Sequence, residues 1–254
     1  MIDCHCHLEQ KDYDKDREKV IEKCKQELKA LVTSCAHPKD FDLTLDIAKK
    51  HKSFIYCAIG IHPTYIKETN EQEIQETIEK IRKNQKEIVA IGETGLDYHW
   101  IKEKEWQKKQ KILFEKLIVL AKELNKPLII HSWDATPEVI EILEQQSMKG
   151  KKVLMHLLSN RKVLNKVIEN DWFVSIGPGI RKSKDIRKIA RDVPLNRILL
   201  ETDSPWFAQE NQKYGTPLNV KIPLKKIAEI KKIKVAEVEK QTDLNAISFF
   251  NLKK

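Results

Sequence analysis

Eight short apolar, β-branched runs alternate along this chain with longer polar segments of helical period, and few architectures accept that rhythm. The runs cover residues 2–7, 30–34, 54–61, 88–92, 127–131, 152–156, 172–177 and 197–202. Between them, residues 15–28, 41–51, 71–84, 105–125, 137–146, 161–170 and 183–191 space apolar side chains three or four apart, as Ile74, Ile78 and Ile81 do. Repeated βα units imply parallel strands covered on both faces, which explains runs that are apolar almost throughout. Eight units predict the α/β class and a single-domain (β/α)₈ barrel over residues 1–254, a typical length for one. An open doubly wound sheet is disfavoured, since no dinucleotide-binding glycine fingerprint follows the first run. Residues 223–231 and 235–252 supply closing helices, and Asn70 with Glu73 predicts a capping box on the third helix.

Charge and cysteine usage narrow the class. The chain holds 47 Lys and Arg against 38 Asp and Glu, a formal charge of +9, and a basic surplus favours anionic partners. The lysines alternate with glutamates, as in residues 76–83 and 102–109, which is the pattern of solvated helix faces rather than of one basic groove. The five cysteines (Cys4, Cys6, Cys24, Cys35 and Cys57) are odd in number and no secretory signal precedes them. No apolar run approaches the roughly 18 residues of a membrane span. A cytoplasmic protein with reduced thiols is expected, without membrane attachment or an obligate protein partner.

In a barrel of this kind, functional residues gather at the carboxyl ends of the strands. The first run ends in Asp3-Cys4-His5-Cys6-His7 and the third in Gly60-Ile61-His62-Pro63. The fourth ends in Gly92-Glu93-Thr94-Gly95-Leu96-Asp97, the fifth in His131-Ser132, the sixth in His156 and the eighth in Glu201-Thr202-Asp203-Ser204-Pro205. Of the eight histidines only His37, His51 and His99 fall elsewhere. Side chains alternate along a strand, so His5 and His7 should share a face with Asp3, while Cys4 and Cys6 turn towards the helices as buried small side chains. Gly60, Gly92, Gly95, Gly177 and Gly179 lie at the same end, where backbone approaches a ligand or turns sharply.

Imidazole and carboxylate are the ligands of divalent zinc, manganese and magnesium sites. His5, His7, Glu93, His131, His156 and Asp203 are therefore the candidate ligands of one or two such ions. Glu93 has two oxygens with which to bridge a pair, and Asp203 is the last ligand or the base that takes a proton from water. Glu93 and Asp203 are accordingly the candidate catalytic residues.

The segments Asp3-x-His5-x-His7-Leu8, Gly60-x-His62-Pro63 and Ile91-Gly92-Glu93-x-Gly95-Leu96-Asp97-Tyr98 together resemble the TatD family of metal-dependent deoxyribonucleases. So do Ile130-His131-Ser132-x-Asp134-Ala135 and Leu200-Glu201-Thr202-Asp203-Ser204-Pro205, and the likeness runs from Met1 to Asn245-Ala246-x-x-Phe249-Phe250. The resemblance implies a TIM barrel, one or two divalent metals and hydrolysis of phosphodiester bonds from DNA ends, with DNA as the partner. It assigns the same six ligands and puts His62 and Glu201 near the substrate. The chain departs from the family where Leu157-Leu158-Ser159-Asn160 replaces Cys-Phe-Ser-Gly and where Trp133 stands in place of a frequent arginine.

A metal-activated hydroxide is the expected nucleophile, formed near Glu93 and Asp203 with Asp203 taking the proton. Glu201, two residues before Asp203 on one strand face, is expected to orient a histidine or the water. Arg181 follows the seventh strand, where barrels often bind phosphate. Trp133, Trp206 and Trp100 follow strand ends and offer stacking surfaces for bases. Two other readings stand beside this one. An amidohydrolase or deacylase could use the same ligand types, although many two-metal members bridge their ions with a modified lysine where Glu93 stands here. A metal-containing nucleic-acid-binding protein without turnover is the other.

Overall fold

A computed structural model describes residues 1–253 of the chain. Eight strands run parallel and pair in chain order. They are β1 (Ile2–Cys6), β2 (Ala30–Cys35), β3 (Ile55–Ile59), β4 (Ile88–Asp97), β5 (Leu128–Trp133), β6 (Val153–Met155), β7 (Phe173–Ile176) and β8 (Ile198–Leu200). Helices α1 (Arg17–Lys25), α2 (Phe41–Lys50), α3 (Glu71–Lys83), α4 (Lys104–Glu123), α5 (Thr136–Gln145), α6 (Leu164–Glu169) and α7 (Lys184–Asp192) form the crossovers. After β8 come α8 (Lys221–Lys231) and α9 (Val235–Phe250). The predicted barrel is the fold observed. The capping box also forms: the Asn70 side chain accepts from Glu73 N at 3.0 Å, and Glu73 accepts from Asn70 N at 2.9 Å.

Strand alternation sorts the apolar side chains into two cores. One takes a residue from every strand and so fills the barrel lumen: Ile2, Cys4, Val32, Ala58, Ala90, Ile129, Leu154 and Leu199, with Phe173 from β7. Ala246, Phe249 and Phe250 of α9 close it. The other packs Leu31, Ile59, Ile91, Ile130, Met155, Ile176 and Leu200 against the helices. No ladder joins β8 to β1 among the described residues. Single bonds close that seam, with His7 N donating to Ser204 O at 2.8 Å and Asp203 N to His5 O at 2.9 Å. The buried Asp3 carboxylate sews it further, accepting from Thr202 N at 3.0 Å and from Thr202 Oγ1 at 2.6 Å.

Of the three register shifts in the sheet, two correct the simple alternation expected around the site. β1 advances from Asp3 to Cys6 while β2 advances only from Leu31 to Thr33, so β1 carries an extra residue. Cys4 consequently lies in the lumen beside Ile2, and only Cys6 joins the outer core with Cys24. Asp3 faces the seam instead of sharing a face with His5 and His7. The extra residue resets the alternation, so both histidines point into the top of the barrel. A second bulge lies between Ile91 and Thr94, and β4 runs on to Asp97, beyond its predicted end at Gly92. Glycine carries it there. Gly95 has φ +146°, and a Cβ on it would sit 2.0 Å from His131 O.

Candidate metal centre

The strand ends bring all six predicted ligands together. His5 and His7 come from β1, Glu93 from β4 and His131 from β5. His156 and Asp203 follow β6 and β8 directly or within a turn. Glu93 is the hub. Its Oε2 lies 3.3 Å from His5 Nε2 and 3.6 Å from His7 Nε2, and both imidazoles also face Asp203 Oδ1, at 3.7 and 3.4 Å. Its Oε1 points the other way, 2.9 Å from His131 Nδ1, 3.4 Å from His62 Nε2 and 3.7 Å from His156 Nε2. Three groupings of donors could hold an ion: His5, Glu93 and His156; His5, His7 and Asp203; His62, Glu93 and His131. His62, expected near the substrate, thus stands among the donors themselves.

Each imidazole is held from behind. His156 Nδ1 donates to Glu201 at 2.6 Å, His7 Nδ1 to Glu9 at 3.1 Å and His131 Nε2 to Asp97 at 2.9 Å, while His5 Nδ1 lies 3.1 Å from Ser34 Oγ. Glu201 also accepts from Leu157 N and is fully buried behind His156, outside the lining of the cleft described below. With their outer nitrogens engaged, His5 and His7 turn their Nε2 atoms towards each other at 3.0 Å. One imidazole can donate to the other there, and the same two nitrogens could instead turn their lone pairs on a shared cation. This donor set of nitrogens and carboxylate oxygens therefore fits a divalent ion. Glu9, Ser34 and Asp97 went unassigned in the sequence. Ser34 ends the second run and Asp97 lies within the fourth motif, so position was the available signal.

Burial opposes charge throughout the cluster, and opposite charges outweigh it at the carboxylates. Glu93 is raised by burial, but His62 and His156 bring it well below the usual range, and Asp203 is lowered likewise by His7 and His156. Burial and the neighbouring imidazoles lower His5 and His62. Against burial, Asp97 and Glu93 bring His131 up to about 9, and Glu201 and Glu93 bring His156 up to about 9.

The donors floor a cleft of 570 Å³. Trp100 and Trp133 stand on one side, His99 stacking on Trp133 at 4.2 Å between centroids. Trp206 and Phe207 stand near His7, with the Trp206 ring 4.9 Å from the His7 ring. Leu157 and Ser159, from the loop that departs from the family pattern, also line it. Arg181 does not: it is exposed and donates to Gln209.

Known proteins agree with this picture. The family model described as TatD related DNase matches residues 2–251. The deoxyribonuclease TATDN3 of Homo sapiens is 32% identical over 260 residues, covering 98% of this chain and 94% of that protein. The metal-dependent hydrolase YabD of Bacillus subtilis, itself uncharacterized, is 32% identical and covered to 99%, as is this chain. In fold, the chain is similar to YJJV, a TatD homologue from Escherichia coli, with a TM-score of 0.90 at 21% identity over 100% of this chain and 98% of that one. Family match, curated relatives and barrel all converge, and the chain belongs to the family of TatD-related DNases.

Proposed function

We propose that this protein is a divalent-metal-dependent hydrolase that cleaves phosphodiester bonds at DNA ends. Membership of the DNase family supports the phosphodiester, and relatives named metal-dependent hydrolases support the metal. One observation carries the reading: Glu93 directs one carboxylate oxygen at His5 and His7 and the other at His62, His131 and His156. A donor set divided by a single carboxylate suits two ions of magnesium, manganese or zinc, and paired ions recur in phosphodiester hydrolysis. Bound there, such ions supply Lewis acidity to the phosphoryl oxygens and make water a usable nucleophile near neutral pH.

The chain's own groups do the rest. Asp203, on the cleft wall and ionised at neutral pH, accepts the proton of the attacking water. Glu9, Ser34, Asp97 and Glu201 keep the imidazoles turned inward, so that no reorganisation is needed when the substrate arrives. Trp133 and Trp206 offer faces to the terminal bases.

The test is nucleotide release from a labelled single-stranded oligonucleotide, after removal of metal with chelator and return of each ion in turn. Asp203→Asn runs beside it, since asparagine keeps the shape and cannot take the proton. Release should depend on metal and fall by about 10²–10⁴ in the variant. No release with any ion, from protein that still binds metal, would sink the reading and direct the search to amide and ester substrates.

A further inference from the structure

The cleft is lined by the wrong residues for a groove that follows a strand. Among the described residues no lysine or arginine lines it, and Glu93, Asp97 and Asp203 are its charged groups besides histidine. The basic residues are spent elsewhere, many on helix faces, as in Arg82 with Glu123 at 2.8 Å and Lys116 with Glu71. Aromatic side chains do the opposite. Among the described residues the exposed Phe, Trp and Tyr are Trp100, Trp133, Trp206 and Phe207, and all four line the cleft.

Proteins that track single strands place cationic side chains along the backbone over about 4–16 nucleotides for each site. Within the cleft no cationic side chain waits for a second or third phosphate, so grip there must come from base faces and from the candidate metal site. The volume agrees: 570 Å³ lies within the roughly 300–1,000 Å³ of sites built for small molecules.

From this charge and aromatic pattern, and resting on the nuclease reading above, we propose that the cleft takes only the terminal one or two nucleotides or so, held by their bases. The substrate class is the short oligonucleotide or the end of a strand, with no length-dependent affinity. The enzyme therefore lets go of the strand after each cut.

The experiment compares kcat/KM for a thymidine dinucleotide and for a thymidine strand of about twenty residues, in magnesium or manganese, across salt. The two substrates should be cut with efficiencies within about fivefold, since added phosphates meet no cationic partner. Raising salt from about 50 to 200 mM should cost about threefold, the effect of a single neutralised phosphate. Early in the reaction the long strand should give products shortened by a single step while most of it is intact. Trp133→Ala should raise KM for both substrates alike, and Trp133→Phe should restore it. A preference above about 100-fold for the long strand, or a salt loss of that order, would overturn the inference and leave the nuclease reading standing. Cleavage of neither substrate with any ion would remove both.

Discussion

His156 donates through Nδ1 to Glu201 and turns Nε2 towards Glu93 and Asp203, so its value as a candidate ligand depends on a carboxylate that is itself fully buried. Replacing Glu201 by Gln should lower metal affinity by about 10- to 100-fold, while kcat at saturating metal changes far less. Metal titration of the apoprotein followed by activity at high metal separates the two effects. A second consequence concerns protons. His131 and His156 titrate near 9 before metal binds, so at pH 7 each carries a proton that must leave as an ion enters. Calorimetric titration at pH 7 in buffers of different ionisation heat should register proton release, shrinking as pH rises towards 9. The six candidate ligands were legible in the sequence because histidines and carboxylates recur at the strand ends, and the barrel brings those ends together. Ser34 and Asp97 were not, since their role appears only once neighbouring strands set them beside His5 and His131. Where Arg181 would lie was equally hidden, for a related reason. A position after the seventh strand says nothing of the side chain's direction, and Gln209 holds it outside the cleft.

The strands were legible as elements and illegible in their irregularities. Period-two alternation put Cys4 and Cys6 on one face; a single extra residue in β1 separates them and moves Asp3 to the seam. Nothing in Asp3-Cys4-His5 announces that residue. On β4 the glycines were visible, but they read as the end of the strand, whereas they let it continue past Glu93 to Asp97. Gly95→Ala tests this. The added methyl would meet His131 O at 2.0 Å in a backbone region that alanine avoids, so β4 and β5 must separate at the metal centre. Chemical denaturation should show a loss of more than about 2 kcal/mol, with weakened metal binding in whatever remains folded.

At the scale of the molecule, the alternating pattern specified the barrel because eight parallel strands buried on both faces have few other ways to close. The candidate metal centre sits where that closure is weakest, across the β8–β1 seam, with His5 and Asp203 on opposite sides of it. An ion binding both should therefore stabilise the whole fold. At a concentration about 100 times its dissociation constant the gain is about 2.7 kcal/mol, read as a rise in melting temperature that chelator reverses. The lumen below has a different consequence. Ile129, Leu154 and Leu199 are wholly buried, and Phe249 and Phe250 stop the far end. Among the described residues these side chains fill the lumen, so the expectation is that entry and exit share one doorway. On the proposed function, a released nucleotide would back out past Trp133 and Trp206, which line that cleft, before the next end could enter, and whatever lingered on those rings would queue ahead of the substrate.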